Sequence, residues 1–443
     1  MADERERALQ AAFDLGLAYL HHVDRRHVGA TATASAVRQR LVTELPDRPT
    51  DATQVVMELA EAVDPGLVAS VGPRYFGFVV GGALPAAVAA DVLTAAWGQN
   101  GALHALSPAS AAAEEVAGEW MLDLLGLPAG ASVGLPTGAG LGNAVGMAAA
   151  RHALLARAGW DVEARGLYGA PEITVLIGDE AHATVLTALQ YLGLGRERVE
   201  RIGADEQGRM HSDELRARVG ALDGPVLVVA QAGNVNSGAF DPLDELADAL
   251  DGHPNHWLHV DGAFGLWANV SPELRYLVRG VERADSWSTD AHKWLNAGYD
   301  CGFVAVRHPE AHRAAMAATA AYLLRSDQRE SWEYVFDSSR RARGFALYAA
   351  LRSLGREGVR ALVERCCSLA RRMADGLRDG GAEILNDVVL NQVVVACEPD
   401  AIARVQADGT CWAGGTVWHG GSAMRLSVSG WPTTTADVER SVN

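Results

Sequence analysis

The sequence predicts an α/β fold: a mostly parallel central sheet covered by helices, with a smaller α+β unit after it. Three observations carry that expectation. Between residues 172 and 306, short continuous apolar runs alternate with amphipathic helical stretches, the pattern of strands buried on both faces. The 443 residues, 49% hydrophobic and 21% charged, are enough chain for two or three domains and a large core. Beyond about residue 310 the pattern changes to long helices followed by isolated extended runs.

In chain order, residues 1–70 read as helices, with Leu9, Ala12, Phe13 and Leu17 and later Val55, Val56, Leu59 and Ala60 at helical spacing. Pro46, Asp47 and Pro49 break the pattern between them. So few apolar residues cannot build a core alone, and this segment is expected to dock on the body or on a partner subunit. Residues 74–79 form a short extended run ended by Gly81-Gly82, and an Ala-rich helix follows over 85–97. Ser107 is an N-cap with Pro108 at the first helical position, opening a helix to residue 125. Strands are expected at 172–177, 199–202, 226–230, 257–260 and 303–306, with helices at 182–192, 213–219 and 243–250 between them. Long helices at 340–354 and 359–377 precede extended runs at 393–396 and 424–428, and a helical pattern at 435–442 is cut short by the end of the chain. Three parts are expected: a helical segment 1–70, a large unit 71–310 and a small unit 311–443.

The formal net charge of −17 leaves no basic surplus to neutralise phosphates, so nucleic acid is not an expected partner. No run of about 18 apolar residues is free of charges or breakers, so no membrane span is expected. The first residues form a charged helical segment rather than a signal peptide. Cys301, Cys366, Cys367, Cys397 and Cys411 are odd in number with no Cys-x-x-Cys pair, which fits reduced thiols and a cytoplasmic location.

The chemistry centres on Lys293, the only lysine among 38 basic residues. Arginine can replace lysine wherever a surface charge is wanted. It cannot do so where a neutral amine attacks a carbonyl, because guanidinium does not deprotonate in proteins. A lone lysine beside His292, three residues after Asp290, points to an imine-forming side chain; a last surviving surface lysine is the alternative. In ligand-binding parallel sheets, sites lie at the carboxyl ends of strands, and three further features lie at strand ends or loop starts. The loop 135–143, containing Ala139, Gly140 and Asn143, offers free amides at a helix N-terminus for a phosphate, or is a plain turn. His182 follows the 172–177 strand and can stack on a flat cofactor, move a proton, or be structural. Asp261 ends the 257–260 strand, where a buried carboxylate needs a cationic partner unless it caps a loop. A buried carboxylate, a phosphate cradle, a stacking ring and one imine-forming lysine together match the requirements of pyridoxal 5'-phosphate.

The segments Ala181-His182, His259-Val260-Asp261-Gly262-Ala263 and Asp290-Ala291-His292-Lys293-Trp294 resemble the group II pyridoxal-phosphate-dependent amino-acid decarboxylases, which include the aromatic-L-amino-acid, glutamate and diaminobutyrate decarboxylases. The resemblance extends over the chain from about residue 70, including Tyr75-Phe76-Gly77 and Ser339-Arg340-Arg341-Ala342-Arg343. It implies fold type I, like the aspartate aminotransferases, and a homodimer with active sites at the interface, clasped by the N-terminal segment. It also implies that Lys293 holds the cofactor, Asp261 pairs with the pyridine nitrogen, and His182 and Ala263 flank the ring. Ala139, Gly140, Asp290 and His292 would lie near the phosphate, and Tyr334, within 325–338, would be the loop tyrosine that returns a proton.

Four departures stand out. Gly140 replaces a hydroxyl residue, Asp290 replaces the Asn of the animal enzymes, residues 233–236 replace a Gly-Thr-Thr run, and the alignment around Tyr334 is not free of gaps. The activity implied is decarboxylation of a small-molecule L-amino acid to its amine. Tyr75, Phe76, Phe78 and Trp97 lean the choice towards aromatic or large apolar substrates, and ordinary core packing is their alternative role. An aldehyde synthase or carbon–carbon lyase on the same scaffold is the alternative activity, and a fold kept only for binding is a third.

Overall fold

In the computed structural model, which describes residues 2–317 and 328–443, the expected sheet is present. Its strands are β1 (Ser132–Gly134), β2 (Thr174–Gly178), β3 (Glu200–Ile202), β4 (Val226–Gln231), β5 (His256–Asp261), β6 (Ser286–Asp290) and β7 (Gly302–Val306). They lie in the order β1-β7-β6-β5-β4-β2-β3, and β7 runs antiparallel to both its neighbours while the others share one direction. Alternation along β4 decides the faces. Leu227 and Val229 pack towards the helices Ala139–Arg157 and Ala183–Tyr191, whereas Val226, Val228 and Ala230 pack with the helix Leu243–Leu250 on the other side. Both faces are dry, which is why these strands read as unbroken apolar runs.

β6 is not among the expected strands, because Ser286, Ser288, Thr289 and Asp290 make it polar. All five of its residues are nevertheless buried. Its hydroxyls are taken up inside: Ser286 Oγ accepts from Trp257 Nε1 at 2.8 Å, and Ser288 Oγ donates to Asn143 Oδ1. Residues 74–79 do not form a strand. Tyr75 makes a single bridge to Trp412, and Phe78 and Val79 take left-handed backbone angles (φ 55° and 57°).

Ser107 caps the helix Pro108–Leu124 as expected, accepting from Ser110 N at 3.2 Å. The helix Gly344–Asp379 breaks at Gly355 (φ 59°, ψ 178°), between the two helices read from the sequence. It leads to a second sheet of β8 (Gln392–Ala396), β9 (Gly414–Trp418) and β10 (Gly421–Ser427), antiparallel in the order β8-β10-β9.

The N-terminal helices Ala2–His22 and Ala52–Val63 pack on each other. They reach the body through the link behind the first helix, where Val28 N donates to Gly409 O at 2.9 Å and His27 Nε2 lies 3.2 Å from Ala407 O. Leu9, Phe13, Leu17 and Leu20 on the first helix, and Val55 and Leu59 on the second, stay exposed. Among the described residues no helix is long and apolar enough to cross a membrane, and all five cysteines are unpaired.

Candidate active site

The carboxyl ends of β1, β2, β4, β5 and β6 open on one side of the sheet, and Lys293, Asp290, Asp261 and His182 all follow or end these strands. Close backbone approach makes this convergence possible. A Cβ on Gly302 at the start of β7 would lie 2.6 Å from Gly138 Cα, so the loop after β1 sits directly on β7. The tip of β6 is tied to the loop after β5, with Gly262 N donating to Ser288 O (3.0 Å) and Asp290 N to Ala263 O (2.9 Å).

Lys293 Nζ lies 3.0 Å from Asp290 Oδ2. The other oxygen of Asp290 accepts from Ala139 N at 2.6 Å, and His292 Nε2 lies 3.6 Å from it. Asp290 thus meets the first amide of the Ala139–Arg157 helix. The next orphan amides of that first turn, beginning with Gly140, remain for an anion, because Gly138 supplies no side-chain cap. At Gly140 itself a Cβ would meet only Thr184, at 3.6 Å. His292 is driven towards neutrality by burial, partly offset by Asp290, and its ring lies 4.5 Å from that of Tyr299.

The turn after Lys293 is fixed by Asn296, buried in a left-handed conformation (φ 57°). Its Oδ1 accepts from Gly82 N (2.5 Å) and Trp431 N (3.0 Å), and its Nδ2 donates to Ser429 O (3.0 Å). Gly81 passes over the lysine so closely that a Cβ there would sit 1.6 Å from Lys293 O. Gly81-Gly82 and Asn296 therefore hold the lysine's backbone from both sides.

Asp261 is buried and pushed up by loss of water, an effect opposed by His182 and Lys293. Its oxygens accept from Asn143 Nδ2 (3.0 Å) and Ala263 N (3.3 Å). Neither donor carries a charge, so the carboxylate still calls for a cation. His182 caps the Ala183–Tyr191 helix through Nδ1, which accepts from Thr184 N at 3.3 Å. It lines one small cavity with Asp261, Ala181 and Gln231. Burial lowers its pKa.

Arg425 on β10 has no motif around it in the sequence beyond being a charge in an apolar strand. It is 9% exposed, its Nη1 donates to Val235 O at 3.0 Å, and its Nε has no partner. Among the described residues no carboxylate lies within ion-pair reach of it, and burial presses its pKa down. It shares the field of His182. The 233–236 segment, where a Gly-Thr-Thr run was replaced, supplies that Val235 carbonyl, and Asn234 Oδ1 closes its turn by accepting from Asn236 N (2.8 Å) and Ser237 N (3.1 Å).

Tyr334 is not brought to Lys293 within one chain. It lies by the edge strand β1, its ring 5.1 Å from that of His312 and under the Arg329 guanidinium. Residues 325–327 of the segment expected to carry the loop tyrosine lie outside the described residues. Of the four aromatic side chains considered for the pocket, Phe76 is in the core and Trp97 packs on Phe345. Tyr75 stacks on Trp412 (5.1 Å, 18°), with Phe78 against the same indole (5.4 Å).

The family model described as the pyridoxal-dependent decarboxylase conserved domain matches residues 35–397. The chain belongs to that family. It is 29% identical over 354 residues to the acidic amino acid decarboxylase GADL1 of Bos taurus, covering 77% of this chain but 66% of that protein, just under two thirds of its length. It is 26% identical over 381 residues to an aromatic-L-amino-acid decarboxylase of Bacillus atrophaeus, covering 84% of this chain and 77% of that one. The fold matches the crystal structure of Oryza sativa TDC with PLP and tryptamine at a TM-score of 0.91, with 24% identity over 99% of this chain and 96% of that one.

The α/β fold of type I implied by the sequence is therefore borne out, as is pyridoxal phosphate as the family's cofactor. The residues in the cleft suit that group: a buried carboxylate and a buried guanidinium, neither with an ion-pair partner among the described residues, an amine at the cleft, and helix amides without a side-chain cap.

Proposed function

We propose that this protein is a pyridoxal-phosphate-dependent carboxy-lyase that converts an aromatic or large apolar L-amino acid to its amine and CO2. The observation that carries the reading is that Lys293, Asp261 and the buried Arg425, which has no carboxylate partner among the described residues, all act on His182. When bound, pyridoxal phosphate supplies a conjugated pyridinium that draws off the electron pair left on Cα as CO2 departs.

The chain's own residues supply the rest. Lys293 Nζ would hold the cofactor, Asp261 would keep a proton on its ring nitrogen, and His182 and Ala263 would flank the ring. Gly140 and its neighbouring amides would take the phosphate, with Ala139, Asp290 and His292 shaping that end. Arg425 offers a desolvated cation to the substrate carboxylate, where such a pairing is worth most. Tyr75, Phe78 and Trp412 form an aromatic rim, and Tyr75 and Tyr299 lie within each other's field beside His292. Relatives carry both aromatic and acidic names. The net charge of −17 favours the aromatic class, because long-range repulsion slows capture of dianions.

A panel of L-amino acids scored for amine and CO2 tests this. Aromatic substrates are expected to exceed glutamate and cysteine sulfinate in kcat/KM by at least about tenfold. Turnover confined to the acidic substrates would overturn the substrate class, and peroxide with aldehyde in place of amine would favour the aldehyde route. Arg425→Met is expected to raise KM about 10- to 100-fold, the worth of a charge-assisted contact; an unchanged KM would remove Arg425 from the substrate site.

We further infer a cytoplasmic homodimer, in which residues 1–70 clasp the partner, 71–310 hold the cofactor and 311–443 close the cleft. The support is the exposed apolar stripe of Leu9, Phe13, Leu17 and Leu20. In such an assembly the proton-returning role of Tyr334 would be exercised on the partner's cleft. Sedimentation is expected to give a dimer that Phe13→Glu with Leu9→Glu converts to an inactive monomer. A fully active native monomer would contradict it, as would recovery of the protein from the membrane fraction for the location.

A further inference from the structure

Behind Asp261 runs a line of fully buried polar side chains: Asn143, His259, Ser286 and Trp257, each 0% exposed. Asn143 Nδ2 lies 3.0 Å from Asp261 Oδ2, and Asn143 Oδ1 lies 2.9 Å from His259 Nε2 and also meets Ser288 Oγ. His259 Nδ1 lies 2.8 Å from Ser286 Oγ, which lies 2.8 Å from Trp257 Nε1. The two ends of this line differ in kind. The indole can only donate, and an ionised carboxylate can only accept.

Those ends set every bond between them. An ionised Asp261 requires the NH2 of Asn143, which turns the Asn143 carbonyl towards His259 and Ser288, so both must donate to it. His259 therefore carries its proton on Nε2. Complete burial without an anionic partner holds the ring neutral, its pKa lowered to about 3, so Nδ1 is a bare lone pair that takes the Ser286 hydroxyl proton. The Ser286 oxygen in turn accepts from Trp257. All the donors point towards Asp261. Space for the line is made by the helix that also carries the candidate phosphate amides. A Cβ on Gly146 would lie 2.7 Å from His259 Cε1, and one on Gly142 3.0 Å from Ser288 Cβ.

We propose that Asn143, His259 and Ser286 are positioning residues, a one-directional hydrogen-bond line that keeps Asp261 ionised and aimed at the cofactor's ring nitrogen. An Asp261 that donated a proton of its own to Asn143 would require Asn143 to turn over and His259 to move its proton to Nδ1, so the direction of the Asp261–Asn143 bond and the imidazole tautomer are linked. This rests on the reading that Asp261 faces the pyridine nitrogen, but the line is made of the chain's own side chains and can be measured without cofactor.

The decisive experiment is nitrogen NMR of 15N-histidine-labelled cofactor-free protein, with His259 assigned through the signal lost in His259→Gln. At neutral pH the expected result is a protonated Nε2 and a bare Nδ1. A proton on Nδ1 would overturn the proposal. In parallel, pyridoxal phosphate affinity and steady-state kinetics are compared for two variants. His259→Leu, which removes the donor to Asn143, is expected to weaken cofactor binding and lower kcat by about tenfold each with little change in KM, and His259→Gln, which keeps a donor there, to recover most of both. A folded His259→Leu protein within about twofold of native in affinity and kcat would overturn it. Should His259→Leu not fold, the tautomer decides alone. A native protein that binds no pyridoxal phosphate would refute the proposed function, and the tautomer would still report on the line.

Discussion

Lys293→Arg is expected to lower turnover by at least about ten-thousandfold while leaving the fold intact. Arginine preserves the positive charge facing Asp290 Oδ2, now 3.0 Å from Nζ, so the ion pair and the turn held by Asn296 and Gly81 survive. What is lost is the amine, since a guanidinium stays charged and cannot attack the cofactor's aldehyde. Lys293→Ala is expected to lose activity to the same degree. Activity of either variant within about a hundredfold of native would show that the lysine is not the point of attachment. Circular dichroism matching native for Lys293→Arg separates this outcome from unfolding.

Asp261→Asn is expected to lower kcat by about 10²- to 10³-fold, the scale on which a preorganised charge aimed at the reacting system acts. An amide has the shape of the carboxylate but not the charge that keeps a ring nitrogen protonated. The same substitution should leave the cofactor-free protein at least as stable. Burial raises the Asp261 carboxyl above its ordinary range, and among the described residues no cation forms an ion pair with it. Linkage gives the sign: a carboxyl whose folded pKa lies above its unfolded value costs stability increasingly as pH rises through that interval. Asp261→Asn should therefore gain melting temperature relative to native mainly above that interval and little at acid pH. Loss of stability together with native kcat would mean that Asp261 is a structural cap.

Much of the fold was legible because β2, β4 and β5 are buried on both faces and so appear as bare apolar runs. β6 was hidden because its polar residues pair inside the protein with Trp257 and Asn143 rather than with water. No window of local hydropathy reports that. Residues 74–79 look extended by composition, yet Phe78 and Val79 take positive φ shortly before Gly81 passes over Lys293, a path that composition does not report.

In the site, Lys293, Asp261 and His182 were legible because they follow strands and carry rare chemistry. Arg425 was not, since its meaning lies in what it lacks, a carboxylate partner, and that is a fact of three dimensions. Asn143 stood inside the 135–143 loop already singled out and Asn296 two residues beyond Trp294, without a composition signal to mark either. A buried asparagine with a left-handed backbone, or one bridging a helix to a strand, is visible only once the elements are placed.

The most direct measurement uses the single lysine. Cofactor-free protein is incubated with pyridoxal phosphate, reduced with borohydride, digested and mapped by mass. A cofactor held by Lys293 gives one phosphopyridoxyl addition per chain, on the peptide containing Ala291-His292-Lys293-Trp294. An unmodified Lys293, or an addition found only at the chain's amino terminus, would contradict the site at its centre.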